Sequence, residues 1–256
     1  MRLPVLLLLG ALTACGAPAT TARTPDTPAT ASAPPAREAP EASKASAIPP
    51  PSPASTDPTP GSACTPAPAG KLPAGKLNLR LLRQTAFDYD PLNSPEELAA
   101  KAPLVVAGTV EDFLPGQIVE EGIPGDRTHY VLMPVRVTER FKGPAARLVH
   151  VKFYQGARRN ESPALSVADF RRAVPRGTRV LLFAYPDTRE GTVIKDRAAL
   201  PAGTPIYSAH PQGVLLGRGL TVIGGMEEIN PASRWADPCG LDGIATRLRA
   251  AGHQGQ

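Results

Sequence analysis

Three regimes of apolar and polar residues succeed one another along the chain. Leu3 to Leu12 is an unbroken apolar run with Arg2 as the only early charge. From Gly16 to about Gly75, Ile48 and Leu72 are almost the only large aliphatic residues. Beyond Lys76 the pattern becomes that of a folded domain. Leu77 to Leu81 alternates as a half-buried strand does. Ser94-Pro95-Glu96-Glu97 places an N-cap serine, a first-turn proline and a third-position glutamate together, so a short helix is predicted over Pro95 to Lys101, stopped by Pro103.

Further strands are expected over Leu104 to Val110, His129 to Phe141, Leu148 to Tyr154 and Arg179 to Tyr185. In the second of these, Val131, Met133, Val135, Val137 and Glu139 share one face, and Leu132, Pro134, Arg136, Thr138 and Arg140 the other. That alternation suits an antiparallel sheet with one wet face. Arg179 to Tyr185 is the most apolar strand and should be central. Pro115 to Asp126 reads as a polar loop, and Leu165 to Val174 as a short helix or an irregular excursion. Short pieces follow at Thr192 to Ile194, Thr204 to Tyr207, Gly213 to Leu216 and Leu220 to Ile223, the last two joined as a hairpin around Gly217-Arg218-Gly219. A terminal helix is predicted from Leu241 to Ala250, with Leu241, Ile244, Ala245 and Leu248 on one face. The expected fold is mainly β: a small antiparallel barrel with two or three short peripheral helices.

The apolar leader is too short to remain in a membrane, since spanning a ~30 Å hydrocarbon core takes about 20 apolar residues. A basic residue, an apolar stretch and small residues before a cysteine have the layout of a secretory signal. Leu12-Thr13-Ala14-Cys15 resembles the lipobox of bacterial lipoproteins. The resemblance implies cleavage after Ala14, diacylglyceryl modification of the Cys15 thiol, and a protein tethered on the extracytoplasmic side. Two or three acyl chains at ~0.8 kcal/mol per buried CH₂ make such an anchor effectively permanent.

Residues 15–75 then read as a spacer rich in Ala, Pro, Thr and Ser. So little apolar area cannot offset chain entropy, so disorder is expected, with prolines favouring an extended polyproline conformation at ~3.1 Å per residue. The composition also suits O-glycosylation, as any such spacer would. Its charges cancel, so the net charge of +5 lies almost entirely on residues 76–256.

A second resemblance lies in the domain. Val105-Val106-Ala107-Gly108-Thr109-Val110, the run Val135 to Gly143, and Arg176-Gly177-Thr178 to Phe183 are similar to the OB-fold barrel of netrin-like and metalloproteinase-inhibitor (TIMP-like) domains. The likeness spans residues 105–183 and implies a five-stranded barrel. Those inhibitors chelate a catalytic zinc through an N-terminal cysteine. The mature N-terminus here would be acylated and remote from the barrel, so that mechanism is not carried over.

With Cys15 assigned to the anchor, Cys64 and Cys239 remain, and an oxidising compartment favours a disulfide between them over two free or intermolecular thiols. The chain has no G-x-S-x-G, H-E-x-x-H, P-loop or dinucleotide fingerprint. The four histidines, His129, His150, His210 and His253, are scattered and read as surface or capping residues rather than metal ligands or bases. Asp88 and Asp90 flank Tyr89 next to Pro91, which favours a turn over an acid–base pair. Gly217, Gly219, Gly224 and Gly225 read as hairpin and bulge glycines rather than a phosphate cradle. No catalytic residue, metal or cofactor is expected.

Arg158, Arg159, Arg171, Arg172, Arg176 and Arg179 cluster in sequence as a candidate surface for an anionic ligand. Few aromatics lie among them to stack bases, and export removes nucleic acid as a partner. The leading expectation is a lipid-anchored envelope module that binds a protein or an anionic glycan. A cell-wall hydrolase or transferase with an unrecognised site is the alternative, favoured if a pocket holds converging polar groups. An inhibitor of extracytoplasmic proteases is a third reading, suggested by the barrel resemblance.

Overall fold

The structure, a computed structural model, describes Cys64 and residues 77–253, without 84–86, 121–124, 145, 157, 160–161, 189–192 and 199. The expected leader, the Cys15 anchor and, Cys64 apart, the expected spacer lie outside the described residues. The side chains of Arg158 and Arg159 lie outside them as well.

The chain enters through a 3₁₀ turn, Leu79–Leu81. It continues through α1 (Pro95–Lys101), β1 (Leu104–Val110), β2 (Leu114–Glu120), β3 (Arg127–Lys142) and β4 (Leu148–Tyr154). A two-strand ladder of β5 (Arg158–Arg159) and β6 (Ser162–Pro163) precedes α2 (Val167–Ala173). Then come β7 (Arg179–Pro186), β8 (Val193–Asp196), β9 (Ile206–Arg218), β10 (Thr221–Gly224) and α3 (Gly240–Ala250).

Five strands close a barrel. β1 pairs β3, β3 pairs β4, β4 pairs β9, β9 pairs β7, and β7 returns to β1. Numbered by their order along the chain, these five strands run 1-2-3-5-4-1, with α2 between the third and fourth. The contact of β4 with β9 is parallel, and the other pairings among described strands are antiparallel. The fold is mainly β, an OB-like barrel with three short helices. β2 and β8 extend the sheet beyond β3, and β10 folds back on β9.

Successive residues of the central strands point into two separate cores. Leu104, Val106, Val180, Leu182, Val214 and Leu216 fill the barrel with Val131, Met133 and Val135. Val105, Leu181, Phe183 and Leu215 point the other way, against Leu98 of α1 and Leu241, Ile244 and Leu248 of α3. β1, β7 and β9 are therefore covered on both faces, which is why Arg179–Pro186 carries an almost continuous apolar run. Each such side chain contributes roughly 1.5–3 kcal/mol by leaving water.

Local signals set the helix ends. Ser94 Oγ accepts the Glu97 amide at 3.3 Å and Pro95 occupies the first turn of α1. Lys142 Nζ donates to the Ala99 and Ala100 carbonyls at the other end, at 3.1 and 2.8 Å. Ser166 and Asp169 form a reciprocal capping box on α2, whose Phe170 packs on Phe113 at one end of the barrel.

Three expectations are corrected. Leu77 to Leu81 is not a strand: Asn78 N–H donates to the Ala173 carbonyl, and Leu79 and Leu82 bury against the barrel as a 3₁₀ turn. Pro115 to Asp126 is not all loop, because Leu114–Glu120 is a strand paired on both sides, to β3 and to β8. Its register shifts between Pro115 and Ile118, a bulge where a residue lacking an N–H is tolerated. The strands expected over Thr204 to Tyr207 and Gly213 to Leu216 are not separate: Ile206, Tyr207 and Gly213 to Leu216 belong to the single β9, and Thr204 and Pro205 precede it.

Candidate functional site

β9 does not run straight along β7. Ala209 pairs with Ala184 and Val214 with Leu182, so four residues, 210–213, stand opposite Phe183 alone. A wide bulge of this kind aims side chains away from the ladder. Gly213 is required there: a Cβ on it would lie 2.5 Å from the Phe183 carbonyl oxygen. The bulge presents His210 and Gln212 to two other segments, the approach to α1 and the loop after β10.

Gln212 clamps the first segment with its whole amide. Its Oε1 accepts the Leu92 N–H at 2.9 Å and its Nε2 donates to the Leu92 carbonyl at 3.2 Å. Trp235 Nε1 donates to that carbonyl as well, at 2.9 Å. At the end of β10, Gly224 is required because a Cβ would meet the Glu227 carbonyl oxygen of the following turn at 2.0 Å. Arg83 fastens the same turn, donating to the Gly224 carbonyl at 2.7 Å and to the Glu228 carboxylate at 2.8 Å. The turn sets Glu227 Oε2 against the Tyr89 hydroxyl, which donates to it.

His210 completes the cluster. Its ring stands edge-on to Tyr89, 5.1 Å between centroids, and 6.4 Å from Tyr185. Its Nδ1 accepts the Gln212 N–H at 3.2 Å, so the neutral ring carries its proton on Nε2. Burial pulls the His210 pKa below the ordinary histidine value, Glu227 pulls it back in part, and Lys101 adds to the lowering. Burial, then the hydrogen bond to Glu227 and its charge, pushes the Tyr89 phenol up. Burial raises Tyr185 as well. Among the described residues no cation forms an ion pair with the Glu227 carboxylate; Arg83 reaches the Glu227 carbonyl at 3.5 Å and pairs with the carboxylate of Glu228.

These segments enclose a cleft of about 260 Å³, walled by Leu92, Pro211, Gln212, Glu227, Ile229 and Trp235 among others.

The arginine cluster expected from sequence is dispersed and paired. Arg171 forks onto Asp112 at 2.8 and 3.0 Å and onto the Phe113 carbonyl. Arg176 and Arg136 converge on Glu111. Arg172 pairs with Asp169 one helical turn away, and Arg179 pairs with Asp242 of α3. Each pair is exposed enough that solvent screens it, and the cationic field is offset by the carboxylates. Arg158 and Arg159 pair by main chain with Pro163 and Ser162.

Cys64 and Cys239 are joined as a disulfide with Cα atoms 5.3 Å apart, so residue 64 is tied to the N-cap of α3. Of the other histidines, His129 lies on β3, His150 is half-buried on β4 with its pKa lowered by burial, and His253 follows α3. Asp88 and Asp90 are exposed on either side of half-buried Tyr89. Among the described residues no group of three or more His, Cys, Asp or Glu side chains is placed to hold a metal ion, and no helix is long and apolar enough to cross a membrane.

Sequence reading passed over Tyr89, Gln212, Glu227 and Trp235. Two signals pointed to them: His210-Pro211-Gln212-Gly213 interrupts an otherwise apolar strand, and the paired glycines 224 and 225 introduce Glu227. Compared with known proteins, the chain matches no protein family, no curated protein and no solved structure.

Proposed function

We propose that the chain is an exported lipoprotein, anchored through Cys15, whose barrel serves the cell envelope as a binding module with its ligand seated in the cleft at Glu227. The observation that carries the binding reading is the convergence of three distant segments on one cleft, where the Gln212 amide and Trp235 indole of its wall, and the His210 imidazole beside it, act as struts. The Gln212 amide, Trp235 Nε1 and His210 Nδ1 all bond the main chain. Groups so engaged shape a pocket and do not take up protons from a substrate. The lipobox supports the location, and a pairing of Cys64 with Cys239 is in keeping with an oxidising compartment. The finer likeness to netrin-like and TIMP-like barrels belongs to the same proposal, supported by the five-strand closure.

The anionic glycan considered as a partner draws less support, since Arg171, Arg172, Arg176 and Arg179 each hold a carboxylate already. A second reading, an envelope hydrolase or transferase, draws its support from the convergence of Tyr89, His210 and Glu227 beside the cleft.

Fractionation of expressing cells tests the proposal. The wild type partitions with membranes, and Cys15→Ser leaves them while keeping its fold. Equal partition of the two proteins overturns the anchor. Turnover of cell-wall substrates by the mature protein, lost in His210→Ala, overturns the binding reading in favour of the enzymatic one.

A further inference from the structure

We propose that the cleft takes a cationic group on an apolar stem, an alkylammonium or a guanidinium, with Glu227 as its counter-ion. This rests on the cleft being the ligand site and adds the charge and shape of what it holds. The walls divide by chemistry. Leu92, Pro211, Ile229 and Trp235 are apolar and Glu227 and Glu228 are acidic; among the described residues no lysine or arginine lines the cleft, and the nearby Arg83 guanidinium is spent on the Gly224 and Glu227 carbonyls and the Glu228 carboxylate.

The two carboxylates differ. Glu228 is exposed and has Arg83 as its partner. Glu227 is partly buried and is held by a neutral phenol. A hydrogen bond from a neutral donor orients a carboxylate without cancelling its charge, so a partly desolvated Glu227 keeps its demand for a cation. The Tyr89 bond engages Oε2 and leaves Oε1 for a ligand.

The Gln212 amide and the Trp235 indole N–H are already committed to Leu92, which reduces what they can offer a ligand. Asn93, Asn230 and Ser233 line the cleft as well, and are engaged locally: Asn93 Nδ2 donates to Glu97, Asn230 Oδ1 accepts the Ala232 N–H, and Ser233 Oγ donates to the Asn230 carbonyl. The strongest recognition element left is the Glu227 carboxylate beside the apolar wall. An anion would face two carboxylates, and a neutral sugar would leave Glu227 unpaired. At about 260 Å³ the cleft is smaller than the ~300–1,000 Å³ of drug-sized sites, which suits one amino-acid side chain or a small free amine. Both sources share the chemistry.

The test uses the mature chain carrying Cys15→Ser, labelled with ¹⁵N. Trp235 is the chain's one tryptophan, so its indole N–H gives a unique signal from the cleft wall. Three probes of similar length are titrated: 1,6-diaminohexane, 1,6-hexanediol and hexanoate. The expected result is a saturable shift of the Trp235 signal with the diamine, at least tenfold tighter than with the diol, and none with hexanoate. Glu227→Gln weakens the diamine tenfold or more, and added salt weakens it in the wild type. N-acetyl-lysine amide is the second arm: tighter binding than the diamine assigns the cation to a protein partner, and weaker binding to a free amine.

Equal binding of diamine and diol, or preference for hexanoate, overturns the charge assignment while keeping the cleft as the site. Absence of any Trp235 shift with all probes overturns both. Should Glu227→Gln unfold, the wild-type comparison of amine, alcohol and carboxylate still decides.

Discussion

Tyr89 donates its hydroxyl to the Glu227 carboxylate across 138 residues of chain, and this bond joins the approach to α1 with the turn that follows β10. Removing the hydroxyl leaves a partly buried carboxylate without its donor. Tyr89→Phe is expected to cost about 1–2 kcal/mol, in the range of hydrogen bonds to charged groups at partly exposed sites. Urea denaturation measures this, and a variant as stable as the wild type contradicts the bond.

The histidines make stability pH-dependent. Burial lowers the pKa of both His150 and His210 in the folded state relative to an unfolded value of about 6.5. A depressed folded pKa means the unfolded chain takes up the proton first. The contribution is therefore present above about pH 6.5 and is lost as the pH falls through the folded values. The urea midpoint of the wild type declines between about pH 7 and 5. A His150→Gln, His210→Gln protein declines less. Glu227 raises His210, so Glu227→Gln lowers the His210 pKa further, read by NMR titration. An unchanged or raised His210 pKa contradicts the geometry.

How far the sequence reveals this fold follows from the range of the forces involved. Ser94, Pro95 and Pro103 mark α1 and the start of β1 locally, and both elements lie where these signals put them. Leu148–Tyr154 carries its own alternation and is legible for the same reason. β2 is not, because Pro115 and Gly116 read as loop, and the segment is a strand through the pairing of its flanking residues: Leu114 and Pro115 with β3, and Ile118 to Glu120 with both β3 and β8. The site is harder still. Tyr89, His210 and Glu227 are brought together by a bulge and a tight turn, and each is unremarkable within its own segment.

Lys152 and Asp187 form an ion pair at 2.6 Å with side chains only 4% and 9% exposed, beneath the Tyr130 ring at 4.4 Å. Ser208 Oγ adds a donor to Asp187 at 3.3 Å. Removing one member of such a pair strands a buried charge. Lys152→Met is expected to cost about 3–5 kcal/mol, whereas the double variant Lys152→Met, Asp187→Leu recovers more than half of it. Chemical denaturation of the three proteins checks the cycle, and additive losses contradict a coupled pair.

The disulfide closes a loop between positions separated by 175 residues. In the chain-entropy account such a closure is worth about 5 kcal/mol, with measured effects often nearer 2. Cys64→Ser with Cys239→Ser is expected to lower Tm by on the order of 10 °C. Reductant should lower the wild-type Tm similarly and leave the variant unmoved. A reductant-insensitive wild type contradicts a stabilising link.

The central claim is that acyl chains on Cys15 hold this binding module at the envelope. Mass spectrometry of the N-terminal peptide from membrane-extracted protein tests it most directly. The account predicts a peptide that begins at Cys15 and carries the mass of a diacylglyceryl group, with or without a third acyl chain. A peptide retaining residues 1–14, or one that begins at or near Cys15 with a free thiol, would contradict it.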